Sequence, residues 1–297
     1  MSIAEAEANA EAIDAGPPGA GLGPFGAPTF VLSGGGNLGA LQVGMLYALV
    51  EKGLRPGMIV GTSVGAINGA FLAGRPDLPG IAEIARLWTS LRRKDVFGVD
   101  VSALVGGFRD RPRHLFASAS IRRILESFLT FTRLEDAPIP LNVVATEFDS
   151  GEAVILNSGD AATALLASSA VPRLLPPVEI GGRLLVDGAA AADVPLRQAV
   201  GLGAREVYVL PTAPAQVAAL AQHDVATGTG AGDPPIVHLI PPPELHIPLA
   251  RLDRSSVLVR LGYNRARAWL DGDPLPDLPI PARPGTPRTT GSLTAAI

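Results

Sequence analysis

The 297-residue chain contains no cysteine, which excludes disulfide staples, thiolate metal sites and cysteine nucleophiles together. An excess of either charge is also missing: 24 basic against 28 acidic residues give a net charge of −4. That balance offers no cationic field for a nucleic-acid partner and suits a neutral or apolar substrate better. Although 47% of the residues are hydrophobic, no run approaches the roughly 18 to 20 uninterrupted apolar residues of a membrane span. The amino terminus, MSIAEAEANAEAIDAG, lacks the basic start and apolar run of a secretory signal. A cytoplasmic location is therefore the expectation, with any membrane contact peripheral. Polar chemistry is left to Ser, Thr, Asp, Glu and four histidines.

The ends of the chain carry little that could pack. Residues 1–27 pass from an Ala/Glu segment into GPPGAGLGPFGAP, and residues 271–297 are dense in proline. The first reads as a flexible leader and the second as a disordered tail, because such compositions support neither a core nor regular elements. Residues 28–270 remain for one catalytic domain, and no internal repeat is present.

Within that domain the order of elements is informative. A short apolar run, Thr29 to Ser33, leads into Gly34-Gly35-Gly36 and then into a stretch of helical period carrying Leu38, Leu41, Met45, Leu46, Leu49 and Val50. Gly53 stands where a left-handed helix stop is expected. Met58 to Gly61 reads as a buried strand, followed by Thr62-Ser63-Val64-Gly65 and a small-residue helix from Ala66 to about Ala73. This is a βαβα unit whose first two strands are parallel. Helices are expected at Ile81–Leu91, Ile121–Phe131 and Ser255–Leu270. Further strands are expected at Leu141–Ala145, Ala153–Leu156, Leu184–Val186, Val207–Leu210 and Ile236–Ile240. The mixture predicts an α/β fold, a three-layer α/β/α sandwich around a mostly parallel sheet.

Gly61-Thr62-Ser63-Val64-Gly65 matches G-x-S-x-G, in which a serine sits on a sharp strand-to-helix turn and the flanking glycines leave room for a strained backbone. With 34 glycines in the chain the bare pattern is weak, and a glycine-rich turn with an ordinary capping serine would also satisfy it. Its context, strand before and helix after, sets the Ser63 hydroxyl at a helix amino terminus, where peptide dipoles favour developing negative charge. One crossover upstream, Gly34-Gly35-Gly36-Asn37-Leu38-Gly39 should reach the same sheet edge and offer bare N–H groups to an oxyanion. Its spacing also fits the dinucleotide pattern G-x-G-x-x-G, but that reading wants an acidic residue closing the second strand, where Gly61-Thr62-Ser63 stands instead. The third element is Asp187-Gly188-Ala189, an acid ending the apolar run Leu184-Leu185-Val186 and well placed to meet a serine hydroxyl; an isolated Asp-Gly would rather be read as a turn starting a loop, and it is the company of the other two motifs that favours the site.

GGGNLG, GTSVG and DGA in this order and spacing closely resemble the patatin-like phospholipase family, over roughly Phe30 to Leu210. The resemblance implies hydrolysis of lipid acyl esters by a Ser-Asp dyad without a catalytic histidine, with Ser63 as nucleophile and Asp187 as base. The oxyanion hole would fall to the Gly34-Gly35-Gly36 loop, with the N–H groups of Gly35 and Gly36 as donors and no metal or cofactor. Ala145-Thr146-Glu147-Phe148 and Ser168-Ser169-Ala170-Val171-Pro172 also look familial, the latter as pocket lining near the dyad. Leu38 stands where many members carry Arg or Lys, which weakens any claim for an anionic phosphate there.

The order Ser63, Asp187 and a later histidine leaves an α/β-hydrolase triad open. That fold places several strands before its nucleophile, whereas about one precedes Ser63, and His223, His238 and His246, like His114, suit surface or packing roles better. Residues 92–113 interleave Phe97, Val99, Leu104, Val105 and Phe108 with Arg92, Arg93, Lys94, Arg109, Arg111 and Arg113. They suit a lid or a peripheral membrane contact, and equally an ordinary amphipathic insertion. Head group, acyl length, position cleaved and oligomeric state are not written in the sequence.

Overall fold

The computed structural model describes residues 27–92, 95–96, 113–222, 234–245 and 252–274. The leader up to residue 26, the tail from residue 275, and residues 93–94 and 97–112 of the basic and apolar segment lie outside these.

The central strand β1 (Thr29–Leu32) is buried along its whole length, as expected of a strand covered on both faces. It pairs in parallel with β2 (Met58–Thr62) on one side and β7 (Glu206–Leu210) on the other. β3 (Leu141–Glu147) follows β2 in parallel, and β8 (Ile236–Leu239) follows β7. Beyond β3 the sheet turns antiparallel: β6 (Arg183–Asp187) runs against β3, β5 (Val178–Ile180) against β6, and β4 (Ala153–Leu156) folds back on β3. The order is β5-β6-β3-β2-β1-β7-β8, with β4 off this path. The expected mostly parallel sheet is present, with its antiparallel end holding Asp187.

Alternation along the strands divides the interior into two cores. Phe30, Leu32, Ile59, Leu141, Val143, Tyr208 and Leu210 point to one face. Val31, Val60, Val144, Val207 and Val209 point to the other. The first face is covered by α1 (Gly39–Glu51), α2 (Val64–Gly74), α3 (Leu78–Ser90), α5 (Ala161–Ser168) and α9 (Ser255–Asp271). The second is covered mainly by α7 (Leu196–Gly201) through Leu196 and Ala199. The remaining helices are α4 (Arg113–Phe128), the single turn α6 (Ala189–Ala192) and α8 (Pro214–Gln222).

Helix α1 is buried nearly all round, because α9 crosses it on its outer side. The crossing is close enough that a Cβ at Gly44 would overlap the Val259 carbonyl and one at Gly262 the Leu41 carbonyl. Gly53, at φ 84°, ends α1 as expected. Helix α3 begins three residues before its expected start, because Asp77 accepts the Gly80 N–H at 2.8 Å as a side-chain cap. Among the described residues, no helix is long and apolar enough to cross a membrane.

Candidate active site

β1 and β2 lie side by side with Leu32 opposite Gly61, so the loops leaving them meet at one edge of the sheet. Ser63 follows β2 directly and holds φ 53°, ψ −125°, a conformation rare for a residue with a Cβ. Two close approaches surround it. A Cβ at Gly61 would press on Ala66 in the first turn of α2, and one at Gly65 would overlap the Leu32 and Ser33 carbonyls. The glycines of G-x-S-x-G thus let α2 sit directly on the ends of β1 and β2.

A serine that merely capped α2 would turn its hydroxyl to an N–H of the first turn. Ser63 makes no such capping bond; its Oγ donates to Oδ2 of Asp187 at 2.7 Å. Asp187 arrives at the end of β6, opposite Ala145 of β3, while Val144 of β3 lies opposite Thr62. The acid therefore reaches the level of Ser63 from the antiparallel side. Gly188 must pass the Val144 carbonyl, where a Cβ would overlap it, and the Ala189 N–H donates to Asp187 Oδ1 at 2.8 Å.

Ser63 and Asp187 are only 8% and 5% exposed. Burial raises the Asp187 pKa above the ordinary carboxylate range, against the opposing effects of the Ser63 hydroxyl and Ala189 N–H, and the nearby Asp193 carboxylate raises it further. The carboxylate is thus a stronger base than one in water, and it is hydrogen-bonded to the Ser63 hydroxyl.

Both expected supporting stretches touch Ser63 or Asp187. Ser168 Oγ accepts the Ser63 N–H at 2.7 Å and donates to the Val144 carbonyl at 2.6 Å. Thr146 Oγ1 donates to the Asp187 carbonyl at 2.9 Å and accepts the Ala191 N–H at 3.1 Å. The Ala170 carbonyl accepts the Asp187 N–H at 3.0 Å, which sets Val171 and Leu174, 39% and 56% exposed, on the loop beside the dyad.

The glycine loop faces the same place. Gly35 and Gly36 hold φ 147° and 56°, open to glycine and poor for other residues, and their N–H groups have no acceptor among the described residues. The Gly34 N–H is bound to the Asp193 carbonyl at 3.0 Å, which leaves Gly35 and Gly36 as the residues of the loop with N–H groups to offer. Gly39, where a Cβ would overlap Val64 and press on Trp88, seats α1 against α2. Leu38 is buried in the core.

His238 lies on β8, three strands from β2, with Nε2 3.0 Å from Glu206 Oε1 and its ring stacked on Tyr208. It is remote from the dyad. His223 and His246, and the side chain of His114, lie outside the described residues. No group of three or more His, Asp or Glu suited to a metal occurs among the described residues.

Buried polar residues without a sequence motif surround the site. Trp88 Nε1 donates to Asn68, Asn68 to Gln42, and Gln42 to the Leu210 carbonyl. Gln216 and Thr212 bind the Gly34 carbonyl. For Gln42, Asn68 and Gln216 the only signal in the sequence is a polar residue within an apolar helix, which a solvent-facing position would produce as well.

The chain is 30% identical over 175 residues to an uncharacterized NTE family protein of Mycobacterium tuberculosis, covering 58% of this chain and 45% of that one. It is 27% identical over 188 residues to lysophospholipase NTE1 of Mycosarcoma maydis, covering 61% and 9%. It thus spans less than half the length of these relatives. Among solved structures it is similar to VipD from Legionella pneumophila, at 15% identity and a TM-score of 0.46, covering 84% and 68% of the two chains. The patatin-like phospholipase model matches residues 30–200, from β1 through the glycine loop, Ser63 and Asp187 into α7, and the chain belongs to the patatin-like phospholipase family.

Proposed function

We propose that this protein is a serine hydrolase of lipid acyl esters, working through a Ser63–Asp187 dyad and an acyl-enzyme. The observation that carries this reading is the 2.7 Å bond from Ser63 Oγ to Asp187, made by a serine held at positive φ and free of any capping role. Asp187 takes the Ser63 proton as Oγ attacks the ester carbonyl, and the N–H groups of Gly35 and Gly36 hold the oxyanion. Collapse of the tetrahedral intermediate returns the proton to the leaving alcohol. Water, deprotonated by Asp187 in its turn, then attacks the acyl carbonyl; the bond to Ser63 Oγ breaks, Asp187 returns the proton to Oγ, and the acid leaves. Every step uses this chain's own groups and water. A lipid substrate agrees with family membership, with the name of the Mycosarcoma maydis relative and with the exposed Val171 and Leu174 beside the dyad. Contact with a lipid surface would be peripheral.

Hydrolysis of short- and long-chain acyl esters and of phospholipid by the wild type, Ser63→Ala and Asp187→Asn, each shown to be folded, tests this. Activity lost in both variants is expected. Full activity in Asp187→Asn would move the base elsewhere, and a wild type that neither hydrolyses these esters nor reacts with a fluorophosphonate at Ser63 would leave a non-catalytic lipid-binding protein.

A further inference from the structure

A trans peptide points its C=O and N–H in opposite directions, so whatever grips the Gly34 carbonyl also aims the Gly35 N–H. That carbonyl accepts from Thr212 Oγ1 at 2.6 Å and from Gln216 Nε2 at 3.2 Å. Gln216 is fixed in turn. Its Nε2 donates to Asp193 Oδ2 at 2.8 Å, and its Oε1 accepts the Thr212 and Ala213 N–H groups at 2.7 and 3.1 Å and the Ser33 hydroxyl at 3.0 Å. An ionised carboxylate only accepts and a backbone N–H only donates, so this surrounding allows the amide a single orientation. Asp193 also binds the Gly34 N–H through its own carbonyl, at 3.0 Å. It leaves no room at the Gly34 Cα, where a Cβ would stand 2.6 Å from Asp193 Oδ1 and 3.7 Å from Ser63 Cβ. The whole assembly is buried or half-buried.

We propose that Gln216, oriented by Asp193 and seconded by Thr212, is a positioning residue of the hydrolase: it locks the Gly34–Gly35 peptide so that the Gly35 N–H stands ready for the oxyanion. This deepens the hydrolase reading and rests on it. Asp193 follows Asp187 by one short turn, so the segment that carries the base also sets the oxyanion loop, and the two halves of the site are built as one unit. The sequence gives no hint of this, because Gln216 is far from every motif.

The test compares the wild type with Gln216→Ala, Asp193→Ala, Asp193→Asn and Thr212→Val, using a soluble short-chain ester and an acyl trifluoromethyl ketone, which forms a tetrahedral adduct on a serine. Losing an oxyanion donor outright costs about 10²- to 10³-fold in kcat, so misaiming one is expected to cost roughly 10- to 100-fold in Gln216→Ala and Asp193→Ala. KM should stay within about threefold, and the ketone Ki should rise in proportion to the loss in kcat, as for groups acting on the transition state. Asp193→Asn, which can still accept from Gln216, should recover most of the loss. A merely structural role would lower the melting temperature without this parallel between kcat and Ki. Should Gln216→Ala not fold, Asp193→Ala and Thr212→Val decide by the same two readouts. Folded Gln216→Ala and Asp193→Ala with kcat within twofold of wild type and an unmoved Ki would overturn the proposal. An inactive wild type unreactive at Ser63 would instead overturn the hydrolase reading.

Discussion

Ser63 holds φ 53° and ψ −125°, and comparison of Ser63→Gly with Ser63→Ala measures what that costs. Both substitutions remove Oγ and its bond to Asp187, so their difference isolates the backbone. A residue with a Cβ held in such a sparsely populated region stores about 1–3 kcal/mol. Glycine relieves that strain but adds roughly 0.5–1 kcal/mol of unfolded-state entropy. The balance favours glycine by about 1 kcal/mol, or about 2–4 °C in melting temperature for a domain of this size. In ordinary helical or extended backbone the order is the reverse, with alanine ahead. Urea and thermal denaturation at neutral pH would read the difference directly. Ser63→Ala equal to or more stable than Ser63→Gly would refute the reasoning, because the turn would then not be strained.

Burial raises the Asp187 pKa above its unfolded value, so in the window between the two values the folded state binds more protons, and folding weakens as pH rises through it. Asp187→Asn should therefore be more stable than wild type at neutral pH and lose that advantage below about pH 4, where the acid is protonated in both states; melting curves with equal differences at both pH values would contradict this. If Asp187 is the base, as proposed, the same shift should set the acid limb of kcat/KM above the ordinary carboxylate range, readable from a pH–rate profile. Ser168→Ala deprives the buried Ser63 N–H of its acceptor and should cost about 1–3 kcal/mol while lowering kcat, whereas a variant equal to wild type in both denaturation and rate would show that the bond does not matter. Gly262→Ala forces a Cβ onto the Leu41 carbonyl, which is backbone and cannot turn aside. It should cost about 1–3 kcal/mol despite the better helix former, and a melting temperature at or above wild type would show that α1 and α9 can part freely.

What was legible in the sequence is local. The run from Thr29 through Gly34-Gly35-Gly36, α1, Met58–Thr62 and Ser63 could be placed because strand, turn and helix each leave a period or a glycine, and a short crossover then forces parallel neighbours. Asp187 was legible as an acid ending an apolar run. Its direction was not, because pairing of β6 against β3 is a contact across about forty residues that no spacing records. The same holds for β5, three residues long, and for α5, AATALLAS, whose apolar character on every side masks its period. The later strands and α9 fall close to the expected ranges, while α4 stops at Phe128 rather than Phe131. Residues past Phe128 turn instead toward the isolated bridge between Arg133 and Asp160.

The same division runs through the site. Glycines at close approaches leave a mark, since no other residue fits beside the Leu32 or Val144 carbonyls. The residues that hold the strained parts in place leave none, because glutamine, threonine and serine gain their meaning only from what folding brings to them. Each feature of the proposed site works against stability: a serine at positive φ, a desolvated carboxylate, and two N–H groups without an acceptor among the described residues. Such features persist only where neighbours over-determine them. Accordingly Ser63 is bound through its N–H by Ser168, Asp187 through its carbonyl by Thr146, and Gly34 through its N–H by Asp193 and through its carbonyl by Thr212 and Gln216. A substitution in this supporting set should therefore slow the reaction without touching a reacting atom, and its effect should grow with how directly it holds the group that reacts.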